Sequence, residues 1–326
     1  NAPAVGGAAG GGAATGYRVY TSADGLGWSN GVAAAGTSYT LSGLAPGQLV
    51  FVRVSAVNAG GESFPTETLG ARVGDDPTLL LVNGFDRTDR FGTVTDNDPV
   101  MGANQRLWLN RMNRYNYAVH HGSAIAIPFN SAANEAVADG LTRLGRYRMV
   151  DWILGEESSA DETLSAAERT ALTGYLNGGG ALFISGTELG WDLVYQGRAP
   201  AFYRDYLGAD YAGDDAATRQ VTPASGGIFT GLSAFRFDAP GEYDADYPDQ
   251  LSPYGGSRAA LTYVGGAGGT AAIQSAQGCR RVVTFGFPFE TIRPEARAAV
   301  MARIIDYLDE CTNHSTFVPL VARDAW

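Results

Sequence analysis

The chain contains no lysine, and all 23 of its basic residues are arginine. That absence removes Schiff-base catalysis by a lysine and the phosphate-cradling lysine of a P-loop, so ATP hydrolysis by that route is excluded. Histidine is almost as scarce, with His120, His121 and His314 the whole supply of imidazole bases. No apolar run approaches the roughly 18 residues that a membrane-spanning helix needs, and no membrane span is expected. The net charge of -11 offers no positive surface to a phosphate backbone, and the arginines are scattered, so nucleic acid is not an expected partner. Only two cysteines occur. Cys279 opens an apolar strand-like run and Cys311 ends the last predicted helix, so a disulfide is expected where the two elements pack side by side. Two buried free thiols are the alternative.

What is present is a globular balance of 45% hydrophobic and 17% charged residues, in a chain of 326 residues, enough for two domains. Residues 1–15 are almost wholly Ala, Gly and Pro and read as a linker. From Tyr17 short strands alternate with Gly and Pro punctuation: Tyr17–Tyr20, Ser38–Leu41 and Leu49–Val57, a succession that argues a β-sandwich. After Asp75–Pro77 the pattern changes. Thr78–Val82, Met149–Leu154 and Ala181–Ile184 are continuous apolar strands, each ending in a polar loop. Helices are expected over 117–127 and 131–144, and Ser165 with Glu168 forms a capping box for a helix that ends at Asn177, before Gly178–Gly180. Strands are expected again near 259–263, 271–274 and 281–286, then a helix from about Pro294 to Leu308. The expected fold class is α/β, a doubly wound and mostly parallel sheet preceded by a partial all-β sandwich.

Gly16-Tyr17-Arg18-Val19-Tyr20, Tyr39-Thr40-Leu41-Ser42-Gly43-Leu44-Ala45-Pro46-Gly47 and Val52–Ser63 resemble the middle and late strands of a fibronectin type III module. The resemblance implies that two opening strands of that family are missing, and Val50 stands where the family places its corner tyrosine. Asn83-Gly84-Phe85-Asp86-Arg87, Asn134-Glu135, Trp152–Ser158 and Gly286–Thr291 resemble the class I glutamine amidotransferase-like (flavodoxin-like) superfamily, in its secreted bacterial branch. Together the two resemblances imply an extracellular or cell-surface bacterial protein. Its segments would be a partial fibronectin module over 1–74, the amidotransferase-like domain over 75–311, and a β-prone tail over 312–326. The superfamily's cysteine nucleophile follows the third apolar strand, where this chain has Ser185, so glutamine-dependent amide transfer is not expected.

Ser185 with His121 as base and Glu156 or Glu157 as orienter is one candidate catalytic set. The other is acidic: Asp86, Glu156, Glu157, Glu188 and Asp192 all follow predicted parallel strands, at the ends where open α/β sheets bind ligands. Paired carboxylates there can split into acid and base for glycoside hydrolysis, hold calcium, or simply cap helices and pair with Arg87 and other arginines. Trp191, Tyr195, Phe202, Tyr203 and Tyr206 form a sugar-stacking platform or pack beneath a long loop. No other cofactor is expected, and His120–His121 does not form a zinc pair, because adjacent helical residues point about 100° apart. The leading functional expectation is an extracellular structural or ligand-binding protein whose partners are a polysaccharide or cell-surface ligand. Further copies of itself are a second expected partner, through strand exchange between the incomplete module and the tail residues Phe317, Val318, Leu320 and Val321. The alternative is a secreted hydrolase of cell-wall or matrix polysaccharide or peptide, working through the acidic crevice.

Overall fold

A computed structural model describes residues 12–87, 93–107, 114–158 and 162–311. The tail 312–326, with the strand-exchange residues and His314, lies outside the described residues.

Five short strands come first: β1 (Gly16–Ser22), β2 (Val32–Ala34), β3 (Leu49–Asn58), β4 (Gly61–Glu62) and β5 (Leu69–Arg72). They pair antiparallel around β3, as their short turns require. β6 (Leu79–Asn83) is buried at every position, and after it β7 (Thr93–Asp98) and β8 (Gly102–Leu107) form a separate hairpin. Helix α1 (Tyr117–Ala124) leads to β9 (Phe129–Ala133), and α2 (Asn134–Ala138) leads towards β10 (Met149–Gly155). Helix α3 (Ala166–Asn177) carries the expected capping box, Ser165 accepting from the Glu168 N–H and Glu168 from the Ser165 N–H, and precedes β11 (Ala181–Gly186). A π-helical turn, Trp191–Tyr195, and α4 (Pro200–Asp205) follow. The chain then makes β12 (Ala209–Gly213), β13 (Gln220–Pro223), β14 (Phe235–Arg236), β15 (Gln250–Pro253), β16 (Arg258–Tyr263), β17 (Thr270–Gln277) and β18 (Arg280–Phe285) before α5 (Pro294–Leu308).

The expected fold class is corrected here. Among the described residues sixteen strands form one mixed sheet, in which only the β9–β6, β6–β10, β10–β11 and β11–β18 pairings are parallel. The early strands close no sandwich of their own: β5 joins β9 antiparallel through Arg72 and Phe129, which extends the same sheet, and Ser38–Leu41 forms no strand. A small sheet without covering strands completes its hydrogen bonds on the nearest free edge. On the far side the region after Gly190 supplies six antiparallel strands, and β17 returns as β18 through the two-residue turn Gly278–Cys279, a connection that permits only antiparallel pairing. The helix expected over 131–144 is replaced at its start by β9, whose backbone pairs with β6 from Leu79↔Phe129 to Asn83↔Ala133.

Within the parallel centre the strand order is β9–β6–β10–β11–β18, so the chain steps out from β6 to β9 and crosses back to β10. One face buries α1 and α5 in a core with Phe183, Phe285 and Phe289. The other buries α2, α3 and α4 around Trp152, Leu182 and Ile184. The strand order reverses between β6 and β10, the place in an open parallel sheet where ligands bind beyond the carboxyl ends of the strands.

Cys279 and Cys311 are bonded, with Cα atoms 5.2 Å apart, tying the β17–β18 turn to the end of α5 across 32 residues of chain. A loop of that length gives about 3–4 kcal/mol in the chain-entropy account. Reduction, or Cys279→Ala with Cys311→Ala, is therefore expected to lower unfolding free energy by about that amount in urea titrations. An unchanged midpoint would show that the bond is not formed or not stabilising.

Candidate functional site

Three parallel strands deliver their polar loops to one edge in matched register. Asn83 of β6 lies across from Ile153 of β10, and Ile153 across from Ser185 of β11. Asp86 and Glu188 each follow three residues later, while Glu156 and Glu157 follow β10 between them. Gly155 makes this possible: its φ is +51°, and a Cβ there would lie 2.2 Å from the Phe85 ring, so only glycine lets the two loops meet.

Most of these carboxylates are braces. Glu157 Oε2 accepts the backbone N–H groups of Asp86 at 2.7 Å and Arg87 at 2.9 Å. Glu156 Oε1 accepts the Asp246 N–H at 2.6 Å, and its carbonyl accepts from the Arg87 guanidinium at 3.2 Å. Asn134 donates at 2.8 Å both to Asp86 Oδ2 and to Glu168 Oε1. Asp192 is fully buried, takes the Thr163 N–H and hydroxyl at 3.1 and 2.8 Å, and pairs with Arg198 at 2.7 Å.

Glu188 is different. It is half-buried, sits at φ +55°, and makes no side-chain hydrogen bond or ion pair among the described residues. Burial, then the nearby Asp214, pushes its carboxyl up to about 7, with Arg87 opposing and Asp192 adding. Asp214 likewise has no side-chain partner among the described residues, and burial with Asp215 raises it. Beneath them the fully buried Asp249 accepts the Gly190 N–H at 2.6 Å, and its position is fixed by the Tyr263 hydroxyl on its carbonyl at 2.9 Å. Beside this group the Trp191 and Tyr195 rings stack with centroids 4.2 Å apart, and Tyr211 lies 6.3 and 5.8 Å from them. Tyr195 is 63% exposed, so the stack opens to solvent. Phe202, Tyr203 and Tyr206 pack under the loop instead, the first two buried.

Tyr211 has no signal in the sequence, while the runs Asp214-Asp215 and Asp244–Asp249 resemble cation loops and read as solvated turns, a reading that the full burial of Asp249 corrects. Glu67, from the loop before β5, adds a second raised carboxyl: it accepts from Asn83 Nδ2, and burial pushes it up to about 7, with Glu135 and Asp86 contributing.

The serine set is not assembled. Ser185 is fully buried, and its hydroxyl has no hydrogen-bond partner among the described residues. His121 has a carboxylate at each nitrogen, Asp151 at 2.8 Å and Glu290 at 3.4 Å, with the Tyr243 hydroxyl on Glu290 at 2.8 Å. Neither nitrogen is left to accept a serine proton, and Glu156 and Glu157 orient other groups. Among the described residues no group of three or more His, Cys, Asp or Glu could hold a metal ion, so the calcium expectation finds no ligand set there. No helix among them is long and apolar enough to cross a membrane.

No family model matches the chain, and no curated protein matches it. Eleven solved chains do. Similar structures include the exo-beta-1,4-mannosidase Op5Man5 from Opitutaceae bacterium strain TAV5, at 14% identity and TM-score 0.42, covering 73% of this chain and 34% of that one. The mmIFT52 N-terminal domain is 12% identical at TM-score 0.41, covering 72% of this chain and 97% of that one. Agd3, a carbohydrate deacetylase, is 11% identical at TM-score 0.38, covering 72% of this chain and 32% of that one. This chain thus spans about a third of the mannosidase and deacetylase chains.

Proposed function

We propose that this chain is an extracellular hydrolase that cleaves a polysaccharide in the crevice at the carboxyl ends of β6, β10 and β11. The observation that carries the reading is Glu188, a half-buried carboxyl with no side-chain hydrogen bond or ion pair among the described residues, raised to about 7 and placed beside the stacked Trp191 and Tyr195 rings. A carboxyl that holds its proton near neutrality is suited to protonate a glycosidic oxygen, and flat aromatic faces suit the apolar faces of sugar rings. Asp86, three residues past β6, is assigned as the base. β6 and β11 flank β10, so the strand ends that carry the two loops lie two strand spacings apart, roughly 9–10 Å, a backbone separation of the order an inverting pair spans. Water attacks the anomeric carbon and gives its proton to Asp86, the C–O bond to the leaving sugar breaks, and the Glu188 proton moves to the leaving oxygen. The anomeric configuration inverts. The disulfide supports an oxidising compartment.

The test is incubation with a panel of plant, fungal and bacterial polysaccharides, following new reducing ends and the anomer first formed by proton NMR. Cleavage with inversion is expected. Binding without cleavage would support the ligand-binding reading instead, and retention would remove Asp86 from its role.

A further inference from the structure

The site holds more carboxyls than its acid–base chemistry needs. Glu188 and Asp214 have no hydrogen-bonding or ionic partner among the described residues, although each is partly buried, where an uncompensated carboxylate is costly. Asp249 beneath them is fully buried, has no cationic partner among the described residues, and leaves its Oδ1 without a hydrogen bond. The fully buried Tyr203 hydroxyl is also unpartnered there, and it and Asp249 converge at Gly190, where a Cβ would lie 3.0 Å from the hydroxyl and 2.9 Å from Asp249 Oδ2. Tyr211 feels all three carboxyls, which help hold its hydroxyl proton on, and its ring approaches the same Gly190 position to 3.0 Å. Arg87 opposes the shift of Glu188, and its guanidinium donates to the Glu156 carbonyl.

An unpaired carboxyl beside three aromatic rings is the chemistry that recognises an ammonium group: ring faces attract the cation, and the Asp214 carboxyl ionises to pair with it. A neutral sugar would use the rings and leave the carboxyls unpaired. A uronic-acid polymer would meet repulsion, reinforced at long range by the net charge of -11. We infer that the polysaccharide bound here carries free amino groups, an ammonium group held by Asp214 and its ring faces by Trp191, Tyr195 and Tyr211, while Glu188 keeps its proton for the leaving oxygen. This rests on the carbohydrate reading above and adds to it the charge of the substrate.

The experiment is calorimetric titration of the intact protein with glucosamine hexamer, N-acetylglucosamine hexamer, galacturonic acid hexamer and spermine. The free-amine hexamer is expected to bind at least about tenfold more tightly than the acetylated one. That margin should shrink as salt rises from about 50 to about 500 mM, as exposed charge pairing requires. Asp214→Asn should remove most of the preference for the amine while leaving the acetylated hexamer's affinity unchanged, and Trp191→Ala should weaken both. Equal or tighter binding of the acetylated or galacturonic hexamer would overturn the inference while leaving the hydrolase reading standing. Spermine binding as tightly as the glucosamine hexamer would overturn it too, by showing that charge alone suffices without sugar rings. No binding by any of the three sugars would overturn the inference and leave the hydrolase reading to the cleavage test.

Discussion

Glu188→Gln is expected to lower kcat on a responding polysaccharide by about 10²–10⁴-fold, the range for loss of a positioned proton donor, with KM little changed. Gln keeps the shape and cannot supply the proton. Because Glu188 holds its proton up to about 7, wild-type activity should fall as pH rises through that value, and the residual activity of the variant should lack this limb. The substitution should change stability in the opposite sense from activity. An acid that binds its proton more tightly folded than unfolded costs stability as pH rises from about 4.5 through about 7, because ionisation is then opposed only in the native state. Above pH 7 the variant should therefore be more stable than wild type by about 1–2 kcal/mol, allowing for the partial solvent exposure of the group. A stabler, inactive protein is what removal of a catalytic acid predicts. An alkaline limb that persists near 7 in the variant would assign the proton to another group, with Glu67 the first candidate, since it too is raised to about 7.

His121→Ala is expected to cost about 3–5 kcal/mol of folding free energy, enough to bring a marginal domain close to unfolding. The imidazole is fully buried between Asp151 and Glu290, themselves fully buried, so its removal leaves two carboxyls with no positive charge between them. Burial by itself would drive the proton off His121, but the two carboxylates, Asp151 foremost, outweigh it and push the imidazole up to about 9. A histidine raised in this way contributes its full stability below the unfolded value of about 6.5 and loses it as pH rises through about 9. Wild-type protein should thus lose about 3 kcal/mol between pH 6 and pH 10 from this group, and a variant without the imidazole should lack that slope. Urea titrations at pH 6, 8 and 10 measure it. The same slope in both proteins would mean that His121 is neutral in the folded state, its two nitrogens engaged without charge.

The apolar runs Leu79–Val82, Met149–Leu154 and Ala181–Ile184 are legible as buried central strands because every position must avoid water on both faces, and α3 is bounded by local chemistry, Ser165 with Glu168 at one end and three glycines at the other. Those signals are local, so they survive in the sequence. The direction of pairing is not local. A run of alternating or apolar residues looks the same whether its neighbour is parallel or antiparallel, which is why the early strands read as a separate sandwich although they extend the central sheet through Arg72 and Phe129. β9 was lost for a related reason: Phe129–Ala133 has too short a pattern to declare itself, and it is a strand only because β6 offers a free edge. At the site, the carboxylates after each strand were visible as a set, but not which of them are free to act. Glu188 and Asp192 are four residues apart and of the same chemical class, yet Arg198 and Thr163 engage Asp192 while no described side chain pairs with Glu188. Asp214, Tyr211, Asp249 and Glu67 reach the crevice from segments distant in the chain. Burial, pairing and raised protonation are properties of what surrounds a carboxyl, and only the folded chain brings those surroundings together.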